Sequence, residues 1–340
     1  MTKNGRKEVK ELLASFKEAL ESWLITINDP IKIKEIKSAS VDNPIEELTK
    51  LVSLIKAHTT KIGIIFKPET FQKQFDAAYN TVSKASESII LLISIIPQLN
   101  PETLSIIFHD EIILKISEIF QSNLELVSQL QIIEQETSEE ESEEVARDIN
   151  TRLMSVGKVW SSCDNLTKVL KDGKLGLLNT KFKQSIMLIE DGLDEFEEWV
   201  EDPEVSEDPF GFEDEDEDED EQPEELDEET KAQLTAFGTK ILNKFKLIKL
   251  LFSSISKSLP SITSGKTINE LFENQKQIVN LVDKLIVELM MNAKISHITD
   301  DLITSINKNC NNLLKIVKAV NKSNENKVKW CEAWESKFSQ

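Results

Sequence analysis

Residues 43–66 read NPIEELTKLVSLIKAHTTKIGIIF, and their spacing decides the fold. Ile45, Leu48, Val52, Ile55, Thr59, Ile62 and Phe66 recur at alternating intervals of three and four, which lays one apolar stripe along one helix face. Asn43 supplies an N-cap, Pro44 suits the first helical position, and Glu46 stands three residues after the cap. Lys67-Pro68 ends the segment, because proline disfavours helical geometry in the residue before it.

The same period extends outward in both directions. Pro68-Glu69-Thr70 opens a helix through Phe71, Phe75, Ala78, Val82, Ala85 and Ile89, and Asn100-Pro101-Glu102 repeats the cap-then-proline start ahead of Leu104 to Ile133. Ile149, Leu153, Val156, Trp160, Cys163 and Leu170 form another stripe, which places Trp160 in the core. Phe182, Ile186, Ile189, Leu193, Phe196 and Val200 follow, then Leu234 to Ile255 before Pro260. Thr267 with Glu270 reads as a capping box ahead of Leu271 to Leu289, and Ile295 to Val320 carry the last long stripe. No segment alternates like a half-buried strand. The expected fold is all-α, with long helices in antiparallel bundles, since short connections favour antiparallel neighbours.

Charge divides the chain. From Glu201 to Thr230 there are nineteen Asp or Glu and no Lys or Arg, which leaves 42 acidic against 40 basic groups in the other 310 residues. The centre of that block is Glu213-Asp214-Glu215-Asp216-Glu217-Asp218-Glu219-Asp220-Glu221. Like charges four apart weaken a helix, and little there is apolar, so an extended, disordered linker is expected. This predicts a bundle over 1–200, a linker over 201–230 and a second bundle over 231–340. The second either stands on three long helices and a short Trp330/Trp334 piece or borrows the helix at 178–200. The acidic run has three readings: a solvated spacer, a lure for basic proteins in the manner of a histone chaperone, or a cover for Lys240, Lys244, Lys246, Lys249 and Lys257. Ser138, Ser142 and Ser206 precede acidic residues as acidophilic kinase sites do, which makes them candidate phosphorylation sites.

Nine glycines in 340 residues, against a usual share of about 7%, argue against Rossmann and P-loop folds and turn-rich β folds. Cys163 and Cys310 sit on apolar stripes, Cys331 is expected nearer the surface, and an odd, scattered set of thiols suits a reducing compartment. His58, His109 and His297 lack the converging partners of a zinc site. No nucleophile elbow, kinase signature or Walker motif is present, so neither catalysis nor a cofactor is expected. The acidic balance disfavours nucleic acid. The N-terminus shows no secretory apolar core, and the longest apolar patch, Ile89–Pro97, is well short of the roughly 20 residues a membrane span needs. What remains is recognition through helices, with Trp23, Trp199, Trp330 and Trp334 as candidate partner anchors.

Three short stretches carry a family resemblance. Thr59-Thr60-Lys61-Ile62-Gly63-Ile64-Ile65-Phe66 resembles a Thr-Thr, aliphatic, Phe helix end, and Val159-Trp160-Ser161-Ser162-Cys163 is similar to a Val-Trp-x-x-Cys element. Asp208-Pro209-Phe210-Gly211 resembles the Asp-Pro-aromatic segment that opens an acidic region. In that order, around a central acidic stretch, they resemble the cyclin-D-interacting (GCIP) family in a fungal-type or divergent form. The resemblance implies bundles related to those of vinculin and α-catenin. It also implies a non-catalytic regulator of cell-cycle progression and transcription, found in nucleus and cytoplasm, whose partners are D-type cyclins and helix-loop-helix factors.

Overall fold

The computed structural model describes residues 5–38, 40–136, 144–204 and 226–340. Among the described residues regular structure is helical throughout, as the stripes predict. The chain divides into two compact units after Gly173. The division falls inside α8 (Glu144–Glu201), where Gly173 takes φ 65° and ψ −176°, a conformation that only glycine holds at low cost. The first arm of α8 therefore belongs to the first unit and the second arm to the other.

The first unit contains α1 (Arg6–Ile27), α2 (Pro30–Glu35), α3 (Pro44–Ile65), α4 (Pro68–Phe71), α5 (Phe75–Ile95), α6 (Pro101–Leu104), α7 (Ile106–Glu136) and the first arm of α8. Asn43 Oδ1 accepts the Glu46 N–H at 3.2 Å and Asn100 Oδ1 accepts that of Glu102 at 2.8 Å, so both expected caps form. Helix α1 packs on α5 and α7, and α3 on α5. The α8 arm meets α3 at Gly63–Val156 and at the Lys56–Asp164 ion pair (2.6 Å), and meets α7 at Lys158–Glu125 (2.6 Å). Five long helices thus close a ring around Leu13, Leu20, Leu48, Phe66, Phe71 and Phe120, all fully buried. The α3 and α8 contacts run in opposite chain directions, which makes that pair antiparallel.

Two helices expected to be continuous are broken here. The chain leaves helical geometry between α4 and α5, which lets Phe71 stack on Phe66 (centroids 4.8 Å apart) and meet Phe75 edge-on (5.2 Å). Ser105 separates α6 from α7 with φ 86°, and its hydroxyl accepts the Phe108 N–H at 3.3 Å, capping the new helix. The buried stripe on the first α8 arm also differs from expectation. It runs Val156, Val159, Cys163, Leu166 and Leu170, one position round from the sequence reading, so Trp160 is 38% exposed and Leu153 is exposed too. Trp160 is therefore not a core residue; Val159 occupies that register.

The second unit contains the second arm of α8, α9 (Glu228–Lys257), α10 (Gly265–Asn292), α11 (His297–Val320) and α12 (Glu325–Phe338). The helix at 178–200, whose ownership the sequence leaves open, packs here: Phe182 meets Phe252 edge-on at 5.3 Å, and Phe196 lies 6.0 Å from Phe245. Gln275 of α10 donates to Lys181 O at 3.0 Å. Helix α10 packs on α11, α11 on α12, and α12 on α9, so this unit also closes with five helices. The cap of α10 is Ser264, whose hydroxyl accepts the Thr267 N–H; Thr267 is its beneficiary and not the cap.

Candidate functional site

Trp23 lies between Leu20 and Ile27 on the buried face of α1, spaced three and four residues from them. Beyond Ile27 the chain turns sharply: Asp29 accepts the N–H groups of Ile31 and Lys32, and Pro30 starts α2. Helix α2 lasts barely two turns before Ile36 becomes extended, and it packs on α1 and on the turn that ends α5. These elements leave an open groove of about 470 Å3 over α5. Trp23 and Thr26 line it from α1, Ile36 from the end of α2, and Ile90, Ile93 and Ser94 from α5, with Lys32, Glu35 and Lys37 at the α2 side. Ile90 is 47% exposed, although its neighbour Ile89 is buried.

The four candidate tryptophans have different surroundings. Trp199 donates its indole N–H to Glu204 O at 2.9 Å and stacks on Phe196. Trp334, almost fully buried, donates to Leu247 O at 2.8 Å and stacks on Phe338. Trp330 is half-buried beneath the Lys327 ammonium, 4.8 Å from the ring centre. Trp23 Nε1 is buried and has no hydrogen-bond partner. The chain's own carbonyls complete Trp199 and Trp334; no acceptor among the described residues completes Trp23.

The acidic run Glu213–Glu221, the Asp208–Gly211 segment and Ser138, Ser142 and Ser206 lie outside the described residues. Their expected downstream counterparts are largely engaged. Lys246 pairs with Glu197 at 2.9 Å and Lys249 with Glu190 at 2.5 Å. Lys244 donates to Phe338 O at 3.0 Å, and burial first, then Lys240, pulls its pKa down.

The thiols form no reactive centre. Cys163 is buried and its pKa is pushed up to about 12, chiefly by burial; burial also raises those of Cys310 and Cys331. Cys331, expected nearer the surface, is fully buried between α12 and its neighbours. His58 is half-buried with Nδ1 unpartnered, and burial together with Lys61 and Lys84 holds its pKa below the usual imidazole range. His109 stands 2.9 Å from Asp110. Among the described residues no group of His, Cys, Asp and Glu is arranged to hold a metal ion, and no helix is long and apolar enough to cross a membrane.

Two buried cations escape the sequence reading. Arg152 is 3% exposed, and its Nε and Nη1 have no partner among the described residues. Its readable signal was a charge three residues before Ser155 and four before Val156, at stripe spacing. Lys327 is 8% exposed but donates to Ser254 O (3.0 Å), Ser254 Oγ (2.7 Å) and Ser258 Oγ (2.6 Å), at the carboxyl end of α9. Lys244 does the reverse from α9 to the carboxyl end of α12. Each antiparallel helix thus caps the other with an ammonium, where the helix dipole favours a cation.

Known proteins bear on this arrangement. An uncharacterized protein of Saccharomyces cerevisiae is 28% identical over 99% of this chain and 98% of its own length. An uncharacterized protein of Schizosaccharomyces pombe is 24% identical over 98% of this chain and 97% of its own. The profile described as "Grap2 and cyclin-D-interacting, N-terminal" matches residues 47–202, from α3 to the end of α8. Through that region the chain is similar to the Grap2 and cyclin-D-interacting (GCIP) family.

Proposed function

We propose that this protein is a non-catalytic helical adaptor that binds a regulatory protein and through it acts on cell-cycle progression and transcription, in nucleus and cytoplasm. A cyclin or a helix-loop-helix factor is the partner that the likeness to this family favours. The observation that carries this reading is the match of residues 47–202 to a family described by its cyclin-D interaction. The unfinished groove at Trp23 supports it physically, because a helix bundle recognises partners most readily by accepting an amphipathic helix.

The test is capture of purified D-type cyclins and helix-loop-helix factors by the tagged full chain, in low and high salt. Binding that survives high salt and deletion of 213–221 is expected. The competing reading, in which the acidic run Glu213–Glu221 binds basic proteins such as histones, draws on the charge concentrated there. It requires binding that collapses with salt and disappears with the deletion. Retention of histones and of neither regulator class would refute the adaptor.

A further inference from the structure

Trp23 lines an open groove, and its buried Nε1 donor has no partner among the described residues. An indole N–H can only donate, so whatever completes it must carry an acceptor, and leaving it unmet is costly. The same side chain at Trp199 and Trp334 is satisfied from within the chain. The groove beside Trp23 offers Ile36 and the exposed Ile90 as apolar ground. Its volume falls within the roughly 300–1,000 Å3 of sites that bury a compact ligand or a few anchor side chains.

The local charge is positive. Residues 29–37 hold Lys32, Lys34 and Lys37 against Asp29 and Glu35, with Lys32 3.9 Å from Asp29, in a chain whose net charge is −21. That overall excess is concentrated in 201–230, and screening confines exposed charges to roughly 8 Å at physiological salt. The border of the groove therefore carries a small positive excess, three lysines against two carboxylates, at contact distance. Two other grooves hold their cations in shorter contacts than the 3.9 Å of Lys32 to Asp29. One of about 440 Å3 between α1, α7 and the first α8 arm includes Lys158, already paired with Glu125. Another of about 310 Å3 at the end of α12 is bordered by Lys244, which caps that helix.

We infer that the Trp23 groove receives an amphipathic helix of a partner protein. The apolar edge of that helix covers Ile36 and Ile90, its carboxylates face Lys32 and Lys37, and one of its oxygens accepts from Trp23 Nε1. This rests on the adaptor reading and names the surface and the partner chemistry. A helix suits the groove because side chains at i, i+3, i+4 and i+7 form an apolar edge flanked by charge.

The test pans a random library of helical peptides, about four turns long, on the full chain. Enriched peptides should carry more Asp and Glu than Lys and Arg beside an apolar edge. Trp23→Phe keeps a ring and removes the donor, and should weaken a selected peptide about five- to tenfold. Ile90→Asp, at an exposed position, should abolish binding with the circular dichroism unchanged. Lys32→Glu with Lys37→Glu should reverse the charge preference, and Trp330→Phe should have no effect. In 15N NMR the indole signal missing from Trp23→Phe should move on titration, while those of Trp199 and Trp334 stay.

No enrichment, basic peptides, or indifference to both Trp23→Phe and Ile90→Asp overturns the inference. Self-association dissolved by Ile90→Asp makes a second copy the occupant and also overturns it. A shift of the Trp23 indole on deleting 213–221 gives the groove to the chain's own acidic run and overturns it as well. Capture of a cyclin or helix-loop-helix factor equally by wild type and Ile90→Asp sinks the groove and leaves the adaptor standing.

Discussion

The two units are built alike and finished differently. Each closes five helices, each takes one arm of α8, and each sets a glycine of a neighbouring helix against an α8 valine, Gly63–Val156 in one and Gly238–Val200 in the other. Their polar interiors diverge. In the second unit the buried cation Lys327 has three oxygens around it, and Asn321 donates to Val317 O at 2.8 Å. Its one orphaned buried atom among the described residues is Gln275 Oε1, whereas the first unit holds Trp23 Nε1, His58 Nδ1 and Arg152 Nε and Nη1. Unsatisfied buried groups cost stability, and where they persist an absent partner is a physical reason. The second unit satisfies its buried cation from within, and the first leaves Trp23, His58 and Arg152 with unmet atoms among the described residues.

The widest separation between the units should come from their buried cations, with effects of opposite sign. Lys327→Met strips α9 of its ammonium cap and should destabilise the second unit by about 1.5–3 kcal/mol, the range of hydrogen bonds to a charged group. Arg152→Met removes a buried charge whose Nε and Nη1 are unpaired and should stabilise the first unit by about 1–3 kcal/mol. Urea unfolding of the full chain, followed by tryptophan fluorescence, measures both. A loss of stability in Arg152→Met would erase the contrast.

The paired glycines sharpen it further. A Cβ on Gly238 would stand 2.5 Å from Val200 Cγ2, and one on Gly63 would stand 3.1 Å from Val156 Cγ2. Gly238→Ala should therefore cost about 1–3 kcal/mol as overpacking, and Gly63→Ala visibly less. Thermal unfolding of the two variants gives the order.

The smallest effect is the pH response of the first unit. His58 has a folded pKa below the usual 6.5, held there by burial and by Lys61 and Lys84, against a weaker opposing pull from Glu87. As pH falls below 6.5 the unfolded chain takes the proton first, so stability is lost on acidification until pH passes the folded pKa. The slope is at most about 1.4 kcal/mol for each pH unit. His58→Gln should flatten it, which chemical denaturation between pH 5 and 7 can register.

Much of the fold was legible from local spacing. The start of α3 at Asn43-Pro44 appears as expected, and its stripe is buried from Leu48 to Phe66, because a cap and a helical face depend on residues within four positions. Local rules faltered where distant packing intervened. The corner at Phe71 exists because Phe66 and Phe75 surround that ring, and Val159 displaces Trp160 because α3 and α7 choose which edge of the α8 arm to cover. Among the candidate anchors, all four tryptophans looked equivalent in sequence. The carbonyls that complete Trp199 and Trp334 come from Glu204 and Leu247, and the latter lies 87 positions from its indole.

Helical period, proline punctuation and the acidic block at 201–230 are written in residue order, since each arises between near neighbours in the chain. The helix ring each arm of α8 joins, the mutual capping by Lys244 and Lys327, and the open indole of Trp23 are not. They depend on whether groups far apart along the backbone arrive within hydrogen-bond distance, and burial turns each arrival or failure into free energy.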